Sequence, residues 1–81
     1  MTEQYDWSEV PPSVAVVQTV SDLDDTEIEA LPPLAHRVDV DALDNLLRET
    51  ATTDPEGVIV SIQYHGYDVS ISSAGWIEAE Q

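Results

Sequence analysis

Two clusters of carboxylates are the residues of this sequence whose spacing could hold a metal ion. In the first, Asp39, Asp41 and Asp44 lie within a stretch of six residues. An EF-hand loop needs oxygen ligands at its first, third and fifth positions and glycine at its sixth, but Leu43 and Asp44 occupy the last two positions here. We therefore predict that these carboxylates cap a helix and hold water.

The second cluster fails the same test. Asp22, Asp24 and Asp25 are followed by Glu27 at the position where an EF-hand loop has glycine. Loose and unspecific association with potassium ions is the only cation binding that we expect from either cluster.

The two histidines, His36 and His65, are the other candidates for a metal site. A predicted helix and a predicted strand separate them, and neither has a second ligand at a short spacing. Histidine is one of the residues that tolerate a left-handed turn, so we predict a turn role for His65. No metal and no other cofactor is predicted, and a metal-assisted enzyme ranks third among our functional hypotheses.

Motifs for catalysis and for nucleic-acid binding are missing from the sequence. There is no cysteine, no glycine-rich phosphate loop and no nucleophile elbow, so we predict that the chain is not an enzyme. Affinity for nucleic acid depends on lysine and arginine, and the chain has only Arg37 and Arg48 against seventeen carboxylates. We expect no nucleic-acid partner.

The formal net charge of -15 indicates a protein adapted to very high salt. At physiological salt, charges repel one another over about 8 Å, whereas at molar salt this screening length falls to about 3 Å. An acidic chain without lysine is therefore typical of a halophile. A disordered acidic tail is the alternative, but 42% hydrophobic residues with clear periodicity favour a folded domain.

We expect a cytoplasmic protein without a membrane partner, because no apolar run approaches the ~18 residues of a membrane span and no signal peptide is recognisable. Residues 1–12 show no periodicity and end in two prolines, so we predict a flexible N-terminal arm there. Tyr5, Trp7 and Val10 are its apolar anchors. Residues 13–81 are predicted to form a single domain.

The domain begins with a segment, residues 13–23, that could form a strand or a helix. Its valines favour a strand, but its apolar residues fall on one helical stripe and Ser13 is suited to an N-cap, so we predict a helix. The two prolines at 32–33 then require an extended or single-turn link. Leu31 and Leu34 are predicted to pin this link to the core.

A second helix is predicted to begin at Asp39, which is suited to an N-cap. Its apolar stripe consists of Leu43, Leu46 and Leu47. Asp44 and Arg48 are spaced to form an ion pair that contributes little at high salt.

The C-terminal part is predicted to be a three-stranded antiparallel meander that follows a type I turn at residues 54–57. A two-residue loop at residues 65–66 places apolar side chains opposite one another on one side of the sheet. The predicted pairs are Tyr64 with Tyr67, Ile62 with Val69, and Val60 with Ile71.

A three-residue loop at residues 73–75, with Gly75 left-handed, continues the same apolar face. It sets Ile77 opposite Ile71 and Ala79 opposite Val69. We therefore predict an α+β fold in which two helices pack on one face of a three-stranded antiparallel β-meander, in the order ααβββ.

Several stretches in a fixed order give the chain a resemblance to a known family. They are Leu31-Pro32-Pro33-Leu34, Val38-Asp39-Val40-Asp41-Ala42-Leu43-Asp44, Gly66-Tyr67 and Ala74-Gly75-Trp76-Ile77. Over residues 13–79 the chain resembles the first family of halobacterial output domains. The resemblance implies a haloarchaeal domain that occurs alone or attached to receiver and sensor modules of two-component signalling. It implies no active site, and we expect this chain to be a stand-alone version.

We expect the chain to act as a protein-interaction module in signal transduction or regulation, with a signalling protein or a second copy of itself as partner. The alternative is an acidic decoy, or anti-regulator, that occupies a basic nucleic-acid-binding protein.

The predicted register leaves one face of the sheet open, and Ile59, Ser72 and Trp76 line up across the strands there. We predict partner binding at these three residues, because tryptophan is enriched at binding hot spots. A surface tryptophan sheltered by Tyr5 or Trp7 is the alternative.

Overall fold

The computed structural model describes residues 2–53 and 57–81 of the chain. Its helices and strands are β1 (Thr2–Gln4), α1 (Pro12–Asp24), α2 (Val40–Thr53), β2 (Ile59–Tyr64), β3 (Tyr67–Ser72) and β4 (Trp76–Glu80). The link between the helices contains two short 3-10 turns, Ile28–Ala30 and Leu34–His36. No helix in the described ranges has the length and apolar character that a membrane span requires.

Within the described residues, the strands form one antiparallel sheet of four strands in the order β1-β4-β3-β2. The predicted α+β class is confirmed, but the predicted count of three strands is wrong. The additional strand, β1, comes from the segment predicted to be a flexible arm, and it pairs Glu3 with Ile77 and Gln4 with Trp76. Three residues are too few to show strand alternation, and their partner lies at the other end of the chain.

The predicted anchors of the N-terminal segment pack on the core. Trp7 is 3% exposed, and Tyr5 and Val10 are partly buried against the same cluster. The Trp7 indole N–H donates to the Ser72 carbonyl at 2.8 Å, and the Arg48 Nε donates to the Trp7 carbonyl at 3.1 Å. These bonds join the N-terminal segment to both the sheet and α2.

Residues 12–24 form a helix, as their apolar stripe predicts, although valine favours strands. The predicted N-cap is wrong: Pro11 caps α1, and Pro12 occupies its first turn. Proline suits that position because its fixed φ fits the helix and its missing N–H would have no helical partner. Ser13 instead donates its backbone N–H and its hydroxyl to the Asp44 carboxylate, at 2.8 and 2.9 Å.

The link between the helices is pinned as predicted, because Leu31 and Leu34 are both buried. The Tyr64 hydroxyl donates to the Pro32 carbonyl and fastens the link to the sheet. At the start of α2, the Asp39 carboxylate accepts the Ala42 N–H at 3.1 Å, which confirms Asp39 as the cap.

The predicted stripe of α2 is confirmed at two of its three positions. Leu43 and Leu47 are buried, whereas Leu46 is 45% exposed. The three leucines span a wider arc of α2 than its contact with the core covers, so Leu46, at the edge of that arc, projects into solvent.

The register of both hairpins is the predicted one. Tyr64 lies opposite Tyr67, and Ile71 opposite both Val60 and Ile77. The turns have positive φ at His65 (52°), Gly66 (83°) and Gly75 (105°). Residues 54–56 of the type I turn predicted at 54–57 lie outside the described ranges.

The face of the sheet toward the helices carries the core. Its buried residues are Tyr64, Tyr67, Val69, Ile71, Ile77 and Ala79. They meet the buried residues of α1, which are Pro12, Ala15, Val16, Thr19 and Val20.

Candidate interaction surfaces

The open face of the sheet brings the three predicted binding residues into one row. Ile59 lies opposite Ser72, and the register of β3 and β4 continued by one residue sets Trp76 beside Ser72. Gln4 lies opposite Trp76 and extends the row to β1. The row therefore crosses all four strands.

The three residues differ in how much surface they offer. Ile59 is 58% exposed and Trp76 is half-buried, but Ser72 is only 2% exposed. Ser72 is a small residue between two large ones, and its hydroxyl accepts the Ala74 N–H at 3.0 Å. The contact area of the row therefore comes from Ile59 and Trp76.

The alternative prediction placed Tyr5 or Trp7 over Trp76, but the structure places both rings against the core. Tyr5 and Trp7 stack with ring centroids 5.8 Å apart, and both pack against the core between the sheet and the helices. Gln4, which precedes them, is the N-terminal residue that lies beside Trp76 on the open face.

A second uncovered surface is an apolar groove that sequence patterns did not reveal. It lies between α1, the proline link and the first residue of α2, and it has a volume of about 350 Å³. The residues that line it are Ser13, Val14, Val17, Ile28, Pro33, Leu34, Ala35 and Val40. Val14 and Ile28 are 48% and 49% exposed, which is high for large apolar side chains.

The groove has no charged side chain in its lining, although the chain carries seventeen carboxylates. Carboxylates stand next to it in sequence instead: Glu27 and Glu29 flank Ile28, and two aspartates flank Val40. All four of these acidic residues are exposed. The groove is therefore an apolar surface with acidic neighbours.

Asp24 is the centre of a polar cluster. Its carboxylate accepts the Tyr67 hydroxyl at 2.8 Å and the Thr26 hydroxyl at 2.6 Å, and it lies 3.2 Å from His65 Nε2. The hydroxyl of Thr26 and then that of Tyr67 lower the pKa of Asp24 from its usual range. The same carboxylate raises the pKa of Tyr67.

This cluster ties the end of α1 to the turn between β2 and β3. His65 takes the left-handed turn conformation that its type predicts, and its ring reaches Asp24. His36 is exposed in a 3-10 turn of the link. In residues 2–53 and 57–81, no three His, Asp or Glu side chains are placed to hold a metal ion together.

Comparison with known protein families gives a match that covers most of the chain. The family model for Halobacterial output domain 1 matches residues 8–81, which is all of the chain except its first seven residues. No curated protein and no solved structure matches the chain. The match confirms the resemblance seen in residues 13–79, and the chain belongs to the halobacterial output domain 1 family.

Proposed function

We propose that this haloarchaeal output-type domain is a non-catalytic protein-interaction module in signal transduction or regulation, and that it binds its partner in the apolar groove beside α1. The family match supports the output role. The observation that carries the docking proposal is the groove itself, an uncharged concave surface on a chain whose net charge is -15.

The salt conditions favour such a surface over an ionic one. At molar salt the screening length is about 3 Å, so exposed ion pairs add little to affinity. Burial of apolar surface still contributes about 25 cal/mol per Å². A docking site of a halophilic protein must therefore use apolar side chains, and the half-exposed Val14 and Ile28 supply them.

The occupant that fits this groove is a segment of a partner protein with apolar side chains on one face and lysine or arginine at its edges. An amphipathic helix is the usual form of such a segment. Glu27, Glu29, Asp39 and Asp41 lie beside the apolar lining and would meet the basic edges. These charges select the partner's orientation, while the apolar contact holds it.

The row on the open sheet face is our second docking surface, because Ile59 is exposed and Trp76 is half-buried on it. The acidic decoy that would occupy a basic nucleic-acid-binding protein stays a prediction.

The proposal is tested by capture from a haloarchaeal lysate in molar potassium chloride with three matched baits. They are the parent chain, Ile28→Asp in the groove, and Leu46→Asp on α2, where an aliphatic residue is similarly exposed outside the groove. A buried unpaired carboxylate weakens binding at least about tenfold.

We expect a protein that the parent and Leu46→Asp capture equally and that Ile28→Asp loses. Circular dichroism of all three baits establishes that they are folded. Equal capture by the two variants would contradict docking in the groove.

A further inference from the structure

The strand at one end of the sheet, β2, carries no charge. Its six residues are Ile-Val-Ser-Ile-Gln-Tyr, in a chain whose net charge is -15. At the other end, β1 has three residues and one of them is Glu3. Short length and charged side chains are the devices by which edge strands avoid pairing with another chain, and β2 has neither.

Along β2, the backbone N–H and C=O groups of successive residues point alternately toward β3 and out of the sheet. One observation at each end of the strand shows which residues point in which direction. Tyr64 and Tyr67 flank a two-residue turn, and residues in that position exchange hydrogen bonds with each other. At the other end, the Ser73 N–H donates to the Val58 carbonyl at 2.9 Å. The even-numbered residues of β2 therefore bond to β3.

The odd-numbered residues, Ile59, Ser61 and Gln63, consequently direct their N–H and C=O groups out of the sheet. Apolar surface accompanies this backbone edge, because Val60 and Ile62 are only partly buried on the helix side. The edge thus offers both unpaired backbone and uncovered side chains.

We propose that β2 pairs with β2 of a second copy, antiparallel, across a two-fold axis at Ser61. Ser61 then lies opposite Ser61 of the partner subunit, and Ile59 opposite Gln63 of the partner subunit, because this register alone pairs all three outward-facing residues of both copies. Two four-stranded sheets become one continuous sheet.

A second copy fits this edge because of both its charge and its apolar side chains. The register sets Val60 against Ile62 of the partner subunit on the helix side, so apolar surface is covered in both copies. No carboxylate of β2 meets one of the other copy, since the strand has none. This interface is separate from the groove, because none of the groove residues lies on β2.

Cysteine cross-linking tests the register, because the chain has no cysteine of its own. Opposite residues in a hydrogen-bonded antiparallel pair have Cα atoms about 5.5 Å apart, which permits a disulfide. In the proposed register Ser61→Cys meets its own copy, whereas two Gln63→Cys residues are about 13 Å apart. Under mild oxidation in molar potassium chloride, we expect Ser61→Cys to form a disulfide-linked dimer and Gln63→Cys to form no covalent link between the two copies.

Sedimentation gives an independent measurement. The molar mass from sedimentation is expected to be twice the 8.9 kDa of one chain for the parent and for Ser61→Ala. Ser61→Pro removes an outward N–H that no other strand uses, so it should keep its circular dichroism spectrum and sediment as a monomer. If Ser61→Pro unfolds, the comparison of Ser61→Cys with Gln63→Cys still tests the proposed register. A parent chain that is monomeric at millimolar concentration, or any other cross-linking pattern, overturns the proposal.

Discussion

The groove beside α1 and the open face of the sheet are both uncovered, yet they differ in composition. The groove is lined almost entirely by aliphatic residues, with one proline and one serine. On the open face, apolar residues are isolated, because Ile59 and Trp76 share it with Ser61, Gln63 and Glu78.

The difference follows from how each surface is made. A strand alternates its side chains between two faces, so the face away from the core is predominantly polar. The groove arises where a helix, a link and the start of a second helix meet, and no alternation governs its lining. An apolar docking surface can therefore form between elements even when each element is acidic by itself.

The largest effect that we expect comes from replacing tryptophan with alanine on each side of the sheet in turn and comparing the two losses of stability. Trp7→Ala removes a buried ring and one of the two hydrogen bonds that the Ser72 carbonyl accepts, the other coming from the Gly75 N–H. It should therefore cost about 3–5 kcal/mol of unfolding free energy. Trp76→Ala, on the open face, should cost ~1 kcal/mol and leave the domain folded. Urea titrations in molar potassium chloride measure both.

Equal losses at the two tryptophans would show that the open face is part of the core. The row of Ile59, Ser72 and Trp76 would then be no docking surface, and the contrast with the groove would disappear.

A smaller effect concerns the two glycine turns at opposite ends of β3. A Cβ at Gly75 would lie 2.5 Å from the Tyr5 carbonyl oxygen, whereas a Cβ at Gly66 would meet nothing within 4 Å. Both residues have positive φ, so both alanine variants are strained by about 1–2 kcal/mol. We expect Gly75→Ala to lose about 1 kcal/mol more, because the N-terminal segment must also shift.

Thermal unfolding of the two variants in the same salt measures this difference. A Gly75→Ala chain as stable as Gly66→Ala would mean that the N-terminal segment does not hold β4. The open face would then extend to the edge of β4.

The smallest effect concerns Asp24, which ties the end of α1 to the turn between β2 and β3. Its folded pKa is lowered by the hydroxyls of Thr26 and Tyr67. The carboxylate therefore stabilises the fold above its unfolded pKa of about 3.9. This contribution is lost as the pH falls through the lower, folded pKa.

We expect Asp24→Asn to be less stable than the parent at neutral pH, with a difference that shrinks below about pH 4. Asp22→Asn, on the exposed side of the same helix, removes an equal charge outside the cluster and serves as the control. Unfolding curves at several pH values give both differences. A gap between Asp24→Asn and the parent that does not change with pH would contradict the role of this carboxylate.

The register of the sheet could be predicted because its apolar side chains alternate with a period of two. Shifting either hairpin by one residue would have scattered Ile71, Ile77 and Val69 over both faces. The cap at Asp39 could also be predicted, because capping is a local interaction.

The features that sequence patterns missed depend on contacts between distant segments. β1 is defined by β4, which lies more than seventy residues away along the chain. Ser13 forms its hydrogen bonds with Asp44 of the other helix rather than with its own helix. The groove likewise combines Val14, Ile28 and Val40, which share no periodic pattern.

Docking in the groove is the central claim, and amide chemical-shift mapping tests it most directly. The isotope-labelled chain is titrated in molar potassium chloride with the protein that the parent bait captures. We predict that the amides of Val14, Val17, Ile28 and Ala35 shift first, while that of Trp76 stays in place. Shifts confined to the open face of the sheet would contradict the claim and assign docking to that face instead.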